Sequence, residues 1–200
     1  MPNVCVYPTK DCCINRNATG TNYNGSYLWM DCLYVGSPPA KTQQMRALMQ
    51  FTIPAEVNAG EFYKGILCFG DMISAYGSAT ARAYRVTQAG WLESEATWNS
   101  YKVGSAWAAA GGDYDATEYA AVTMPAANVN WFEIDITAMV TDAITNHSRS
   151  LDLIFILDDE NPLTSIQFRW RSKDQAATLD WHLRPFLNIV RPPFGLPMQV

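Results

Sequence analysis

Apolar residues in this 200-residue chain come in short runs that alternate with polar ones, cut by Gly-, Asn- and Pro-containing turns at fairly even spacing. In Met45–Phe51, Arg46, Leu48 and Gln50 alternate with Ala47, Met49 and Phe51. A period of two sends successive side chains to opposite faces, so this is a strand pattern. Thr80–Val86 repeats it. Val4–Tyr7, Leu28–Val35, Phe62–Ile73, Val122–Met124, Trp131–Ile136, Leu151–Leu157, Ile166–Trp170 and Phe186–Val190 supply further strands, with Gly65 or Gly70 as a kink in the longest. One segment breaks the pattern. "TAMVTDAITNH" places Met139, Val140, Ala143 and Ile144 on a single helical face, with Thr137 as N-cap. Many short strands and one helix predict an all-β fold: a jelly-roll or Greek-key β-sandwich with one short α-helix and long connecting loops.

Charge narrows the function classes. Charged residues are only 16% of the chain, against an ordinary value of about 25%. A sparsely charged surface rich in Thr, Asn, Ser and Tyr suits an exported or assembled β protein. The net charge is −5 and the basic residues are dispersed, the tightest group being Arg169, Arg171 and Lys173. No run could neutralise a phosphate backbone, which argues against nucleic acid. The longest aliphatic or aromatic run, Leu153–Leu157, is far shorter than the ~20 residues of a spanning helix. "MPNVCVYPTKDCC" lacks the basic-then-apolar pattern of a signal peptide, so synthesis without one is expected, with a site of action on a virion surface or outside the cell.

The expected organisation is an N-terminal arm over residues 1–18, a sandwich over 19–190 and a stiff Pro-rich tail over 191–200. Four of five cysteines, Cys5, Cys12, Cys13 and Cys32, lie near the start. Without a C-x-x-C pair a zinc site is not indicated. These thiols are either buried and inert or, in an oxidising setting, candidates for disulfides between subunits.

The stretch from Thr87 to about Tyr119 is long for a connection inside a compact domain, and such loops are functional or firmly anchored. Glu93 and Glu95 lie between Trp91 and Trp98. Carboxylates near aromatic rings suit glycoside chemistry, but that requires two acids held at a defined separation across an open cleft. Asp113, Asp115, Asp158 and Asp159 sit in acidic loops that could lend oxygens to calcium, although solvated turns are the commoner meaning of such loops. No G-x-S-x-G elbow, phosphate loop or H-E-x-x-H motif occurs, so neither catalysis nor a cofactor is expected.

Several stretches, in order, resemble the DNRLRE domain family, β-sandwich modules of bacterial and archaeal surface proteins related to a carbohydrate-binding module family. They are "TGTNYNGSYLWM" with Val35-Gly36 after it, "MRALMQF", "YRVTQAGWLESEATWNSY", "GSAWAAAGGDYD", "WFEIDITAMV", "FRWRSKD" and "RPFLNIV". The resemblance implies a non-catalytic scaffold in which Trp91, Glu93, Glu95, Trp98 and Trp107 fasten the long connection. Buried indoles supply enough apolar burial for that.

Two functional readings follow. The first is a structural protein of a virion or extracellular assembly, such as a capsid decoration, neck or fibre protein. It would act as a homo-oligomer or bound to a larger particle made of other structural proteins. The alternative is a carbohydrate-binding or adhesion module in which exposed Trp29, Trp107, Trp131, Trp170 or Trp181 stacks on surface glycans. Ordinary core packing competes for each of those tryptophans.

Overall fold

The computed structural model describes residues 2–25, 27–35, 40–160, 164–174 and 183–192. The strands are β1 (Val4–Val6), β2 (Lys10–Asn15), β3 (Asn22–Tyr23), β4 (Tyr27–Val35), β5 (Ala40–Thr52), β6 (Lys64–Gly70), β7 (Ser74–Tyr76), β8 (Thr80–Val86), β9 (Ser100–Lys102), β10 (Ser105–Ala106), β11 (Tyr114–Thr123), β12 (Trp131–Asp135), β13 (Ser150–Leu157), β14 (Ile166–Arg171) and β15 (Phe186–Val190). Among the described residues one α-helix, α1 (Thr137–Asn146), joins β12 to β13, and a 3-10 turn over Arg16–Ala18 follows β2. No helix among the described residues is long and apolar enough to cross a membrane.

Two antiparallel sheets form the sandwich. The small one runs β1-β15-β6-β12, and the large one runs β11-β8-β13-β5-β4-β14-β7, with β2 beside β5 and β3 beside β2. Period-two alternation builds the core between them. Ala47, Met49 and Phe51 of β5 meet Leu67 and Phe69 of β6 and Leu187 and Ile189 of β15 in one buried cluster. Phe69 crosses the gap to reach Phe155 edge-on at 5.7 Å and Trp170 at 5.1 Å. Each fully buried side chain of this kind contributes roughly 1.5–3 kcal/mol. The expected all-β sandwich is what forms.

Local details depart from expectation. The first eighteen residues, expected as an arm, supply β1 to the small sheet and β2 to the large one. β2 escaped notice because "DCCIN" is buried on both faces: Cys13 faces the central core while Cys12 and Ile14 join a second cluster. A strand covered on both sides has no polar alternation to read. β11 begins at Tyr114, eight residues before the expected Val122, and is irregular between Asp115 and Tyr119. Thr137 is the first helical residue rather than the cap. Its amide and hydroxyl donate to Asp135 Oδ1 at 3.0 and 2.5 Å, and its own Oγ1 accepts from the Gly65 amide at 3.0 Å. Gly65 permits that approach, since a Cβ there would lie 2.7 Å from Val140 Cγ2. Residues 193–200 of the expected tail lie outside the described residues.

Candidate functional site

The connection after β8 lies across the outer face of the large sheet and builds the second apolar cluster there. Trp91 is fully buried and its Nε1 donates to Asp152 Oδ1 of β13 at 2.7 Å. Trp98 and Trp107 pack with Ile14, Leu48, Ile154 and Ile156. Trp107 Nε1 donates to the Thr97 carbonyl at 2.9 Å. The Arg46 guanidinium sits 4.8 Å from the Trp98 ring centre and pairs with Glu160 at 2.6 Å. Gly111, at φ +96°, passes so close beneath that a Cβ would meet Trp98 at 2.7 Å and Arg46 Nη1 at 2.8 Å. Only glycine suits both the positive φ and the space.

Both glutamates of this stretch are held by protein donors. Glu93 Oε1 accepts from the Asp11 amide at 2.7 Å and lies 2.9 Å from Lys173 Nζ. Glu95 Oε2 accepts from the Val103 amide at 2.8 Å. Glu93 thus joins the loop to β2 and to the segment after β14, while Glu95 ties the loop to itself.

The pinned loop in turn holds β3. Asn22 Nδ2 donates to the carbonyls of Glu93 and Ala96 at 2.9 and 2.7 Å, and Asn15 Nδ2 donates to the Tyr23 hydroxyl at 3.3 Å. Between β3 and the start of β4 lies a groove of about 260 Å³, lined by Asn22, Tyr23, Asn24, Gly25, Tyr27 and Trp29. Tyr27 and Trp29 alternate with Leu28 and Met30, which belong to the central core. β14 brings Arg169 directly opposite Trp29. The Arg169 guanidinium carbon stands 3.7 Å from the Tyr27 ring centre and 4.4 Å from that of Trp29.

That guanidinium is unusual in what it lacks. Among the described residues it has no ion-pair partner, and its Nε is out of solvent without a hydrogen-bond partner. Arg171, two residues along the same strand, pairs with Asp71 at 2.6 Å. The nearby carboxylate of Asp31 accepts from Gln43 Nε2 at 3.0 Å instead. Stacking occupies the faces of the guanidinium and leaves its in-plane N–H donors as the groups with which it can bond oxygen. The groove therefore presents the Tyr27 and Trp29 rings and the Asn24 side chain, backed by a guanidinium that has no ion-pair partner among the described residues. Sequence reasoning singled out Trp29 and noted Arg169 only as part of a basic cluster. Alternation in "YLWM" and "FRWR" sends these side chains outward, but the register that stacks them is a tertiary fact.

The other expected stacking residues separate clearly. Trp170 belongs to the central core and Trp107 to the outer one, both nearly inaccessible. Trp131 is 45% exposed at the start of β12. Trp181 lies outside the described residues.

The four loop aspartates are not brought together as a calcium cage. Asp113 accepts from the amides of Ala108 and Ala109, Asp115 from Thr117, and Asp158 pairs with Arg82. Asp159 is exposed. Acidic groups do converge in two other places among the described residues, Glu118–Asp142–His147 and Asp11–Glu93–Asp174. Side-chain cations already serve both: Arg85 contacts Glu118 and Asp142, and Lys173 contacts Glu93 and Asp174.

Of the two readings of the cysteines, the buried one describes most of them. None of the five cysteines is in a disulfide, and Cys12, Cys13 and Cys32 are buried, with only Cys5 exposed. Burial drives the Cys12 and Cys13 thiols well above their ordinary range, so they are poor thiolate nucleophiles.

The chain belongs to carbohydrate-binding module family 96, whose sequence model matches residues 2–184. That span includes β1 and β2, in keeping with their place in the sheets. No curated protein matches the sequence. The match bears out kinship with carbohydrate-binding modules, a generally non-catalytic class, without itself carrying the DNRLRE name. It supports the second of the two functional readings and lends nothing to a virion-structural role.

Proposed function

We propose that this chain is a glycan-binding module whose groove at Tyr27, Trp29 and Arg169 takes an acidic sugar. The observation that carries the reading is the Arg169 guanidinium, without an ion-pair partner among the described residues, stacked on the two rings that line the groove. A carboxylate-bearing sugar offers what Arg169 lacks, an acceptor matching its fork of donors, and such charge-assisted pairs are about twice as strong as neutral hydrogen bonds. The aromatic edges and the side chain of Asn24 then meet the ring and its hydroxyls. A glycan ligand agrees with an extracellular site of action.

Titration calorimetry with polygalacturonate oligosaccharides tests this. Arg169→Ala is expected to weaken binding roughly ten- to hundredfold, the worth of a hydrogen bond to a charged group. Arg169→Lys should recover little, because it keeps the charge but loses the planar stack. Affinity of the unaltered chain should fall as salt rises. Equal affinity of Arg169→Ala and the unaltered chain would remove the groove as the site.

A further inference from the structure

The outer face of the small sheet carries a separate feature that the groove does not explain. Trp131 stands on the edge strand β12, and its cross-strand partner on β6 is Gly70, so no side chain covers the indole from that side. Its ring centre lies 5.6 Å from Phe186, and Phe186 lies 6.1 Å from Tyr7, which is 40% exposed. Phe186 is buried beneath the two exposed rings. The three form an aromatic strip running across β12, β6 and β15 to the end of β1.

At Trp131 the polar chemistry is opposite to that of the groove. Trp131 Nε1 donates to Glu133 Oε1 at 2.7 Å, which fixes the indole and leaves an exposed carboxylate at its margin. Trp29, Trp91 and Trp98 each have a cation over the ring, namely Arg169, Lys10 and Arg46. Trp131 has none among the described residues. At the other end of β6, Lys64 is paired with Asp135 at 3.8 Å, and the cation that reaches the strip, Arg184, acts on Tyr7 at its far end. At its Trp131 end such a surface accepts hydroxyl donors and the apolar face of a sugar ring, and the exposed Glu133 carboxylate there disfavours an anionic sugar.

We propose that this strip is a second glycan site, centred on Trp131 and selective for neutral sugars. It lies on the face of the sandwich opposite the groove, goes beyond the acidic-sugar reading and stands without it. Stacking on Trp131 supplies the contact area, and Glu133 accepts from a ring hydroxyl.

Tryptophan fluorescence titrations with cellohexaose, xylohexaose and mannohexaose at millimolar concentration test it, using the unaltered chain, Trp131→Ala and Arg169→Ala. Trp131 is exposed, so its loss leaves the fold intact, which a thermal melt verifies. At least one of these oligosaccharides is expected to bind, about tenfold or more weakly to Trp131→Ala and equally to Arg169→Ala. Polygalacturonate binding should be unchanged by Trp131→Ala. The proposal is overturned if none of the neutral oligosaccharides binds, or if Trp131→Ala binds them as well as the unaltered chain. It is equally overturned if the substitution only converts a dimer into a monomer by light scattering, which would make the strip a contact between copies.

Discussion

Trp91→Ala is expected to lower the unfolding free energy by about 3–5 kcal/mol, the range for truncating a large core aromatic. At roughly 2–4 °C per kcal/mol for a domain of this size, the midpoint of thermal unfolding falls by on the order of 10 °C. The reason lies in what the indole joins. It is fully buried against the outer face of the large sheet, and its Nε1 meets Asp152. Lys10 Nζ donates to the Trp91 carbonyl at 2.9 Å and lies 5.2 Å from its ring centre, so β2 is attached to the same residue. Trp91→Phe keeps most of the packing but loses the indole donor, and Asp152 retains Gln50 Nε2 at 2.6 Å. Its expected cost is about 1–2 kcal/mol. Because Asn22 hangs from the carbonyls of Glu93 and Ala96, Trp91→Ala should also weaken binding in the groove without touching it. Melts by circular dichroism check both substitutions. A shift of less than about 2 °C for Trp91→Ala would mean the loop is fastened elsewhere.

The second large effect is on pH. Asp11 is buried on β2, and burial pushes its carboxyl from an ordinary 3.8 up to about 7. The Lys173 amide, 2.6 Å from Oδ2, works against that rise, as does the Lys173 ammonium, while Glu93 and Asp174 add to it. Its Oδ1 has no hydrogen-bond partner. Asp31 on β4 is likewise pushed up to about 7, chiefly by burial. In the unfolded chain both groups release their protons near 3.8, whereas the folded protein keeps them until about 7. Stability from this source is therefore complete below the unfolded value. It is lost as pH rises towards 7, at about 1.4 kcal/mol per pH unit per group, and changes no further above that. The protein should melt several degrees higher at about pH 5 than at about pH 8. Asp11→Asn keeps an acceptor for the Lys173 amide and removes the proton exchange. It should flatten roughly half of the slope and stabilise the protein at about pH 8 by an amount on the order of 2 kcal/mol. A midpoint independent of pH across this range would show that the two carboxyls are not perturbed.

How far the sequence revealed this structure depended on whether a residue has one environment or two. β5 and β8 show their alternation because part of their outward face meets polar or half-exposed surroundings. Arg46 reaches Glu160, Gln50 reaches Asp152, and Arg82 reaches Asp158. β2 shows none, since the central core takes Cys13 while the Trp91 loop covers Cys12 and Ile14. The helix was legible from the 3.6-residue spacing of Met139, Val140 and Ala143, all buried. Its start was not, because Asp135 and Gly65 share the hydrogen-bonding work assigned to Thr137.

The groove was half visible. Tyr27, Trp29 and Arg169 all stand on outward positions of recognisable strands. Their meeting depends on the pairing of β14 with β4, strands separated by most of the chain, and on a register in which a slip of one residue would turn Arg169 into the core. That Arg169 has no ion-pair partner among the described residues is a property of its surroundings and leaves no mark in local sequence.

The most direct measurement is the side-chain Nε–H resonance of Arg169 in a ¹⁵N-labelled sample, followed while a polygalacturonate oligosaccharide is added. Occupation of the groove should move that resonance and the Trp29 indole N–H together, to saturation, with the Trp131 indole signal left in place. If the oligosaccharide binds while Arg169 and Trp29 stay still, or if nothing in the spectrum moves at all, the groove is not where an acidic sugar is held.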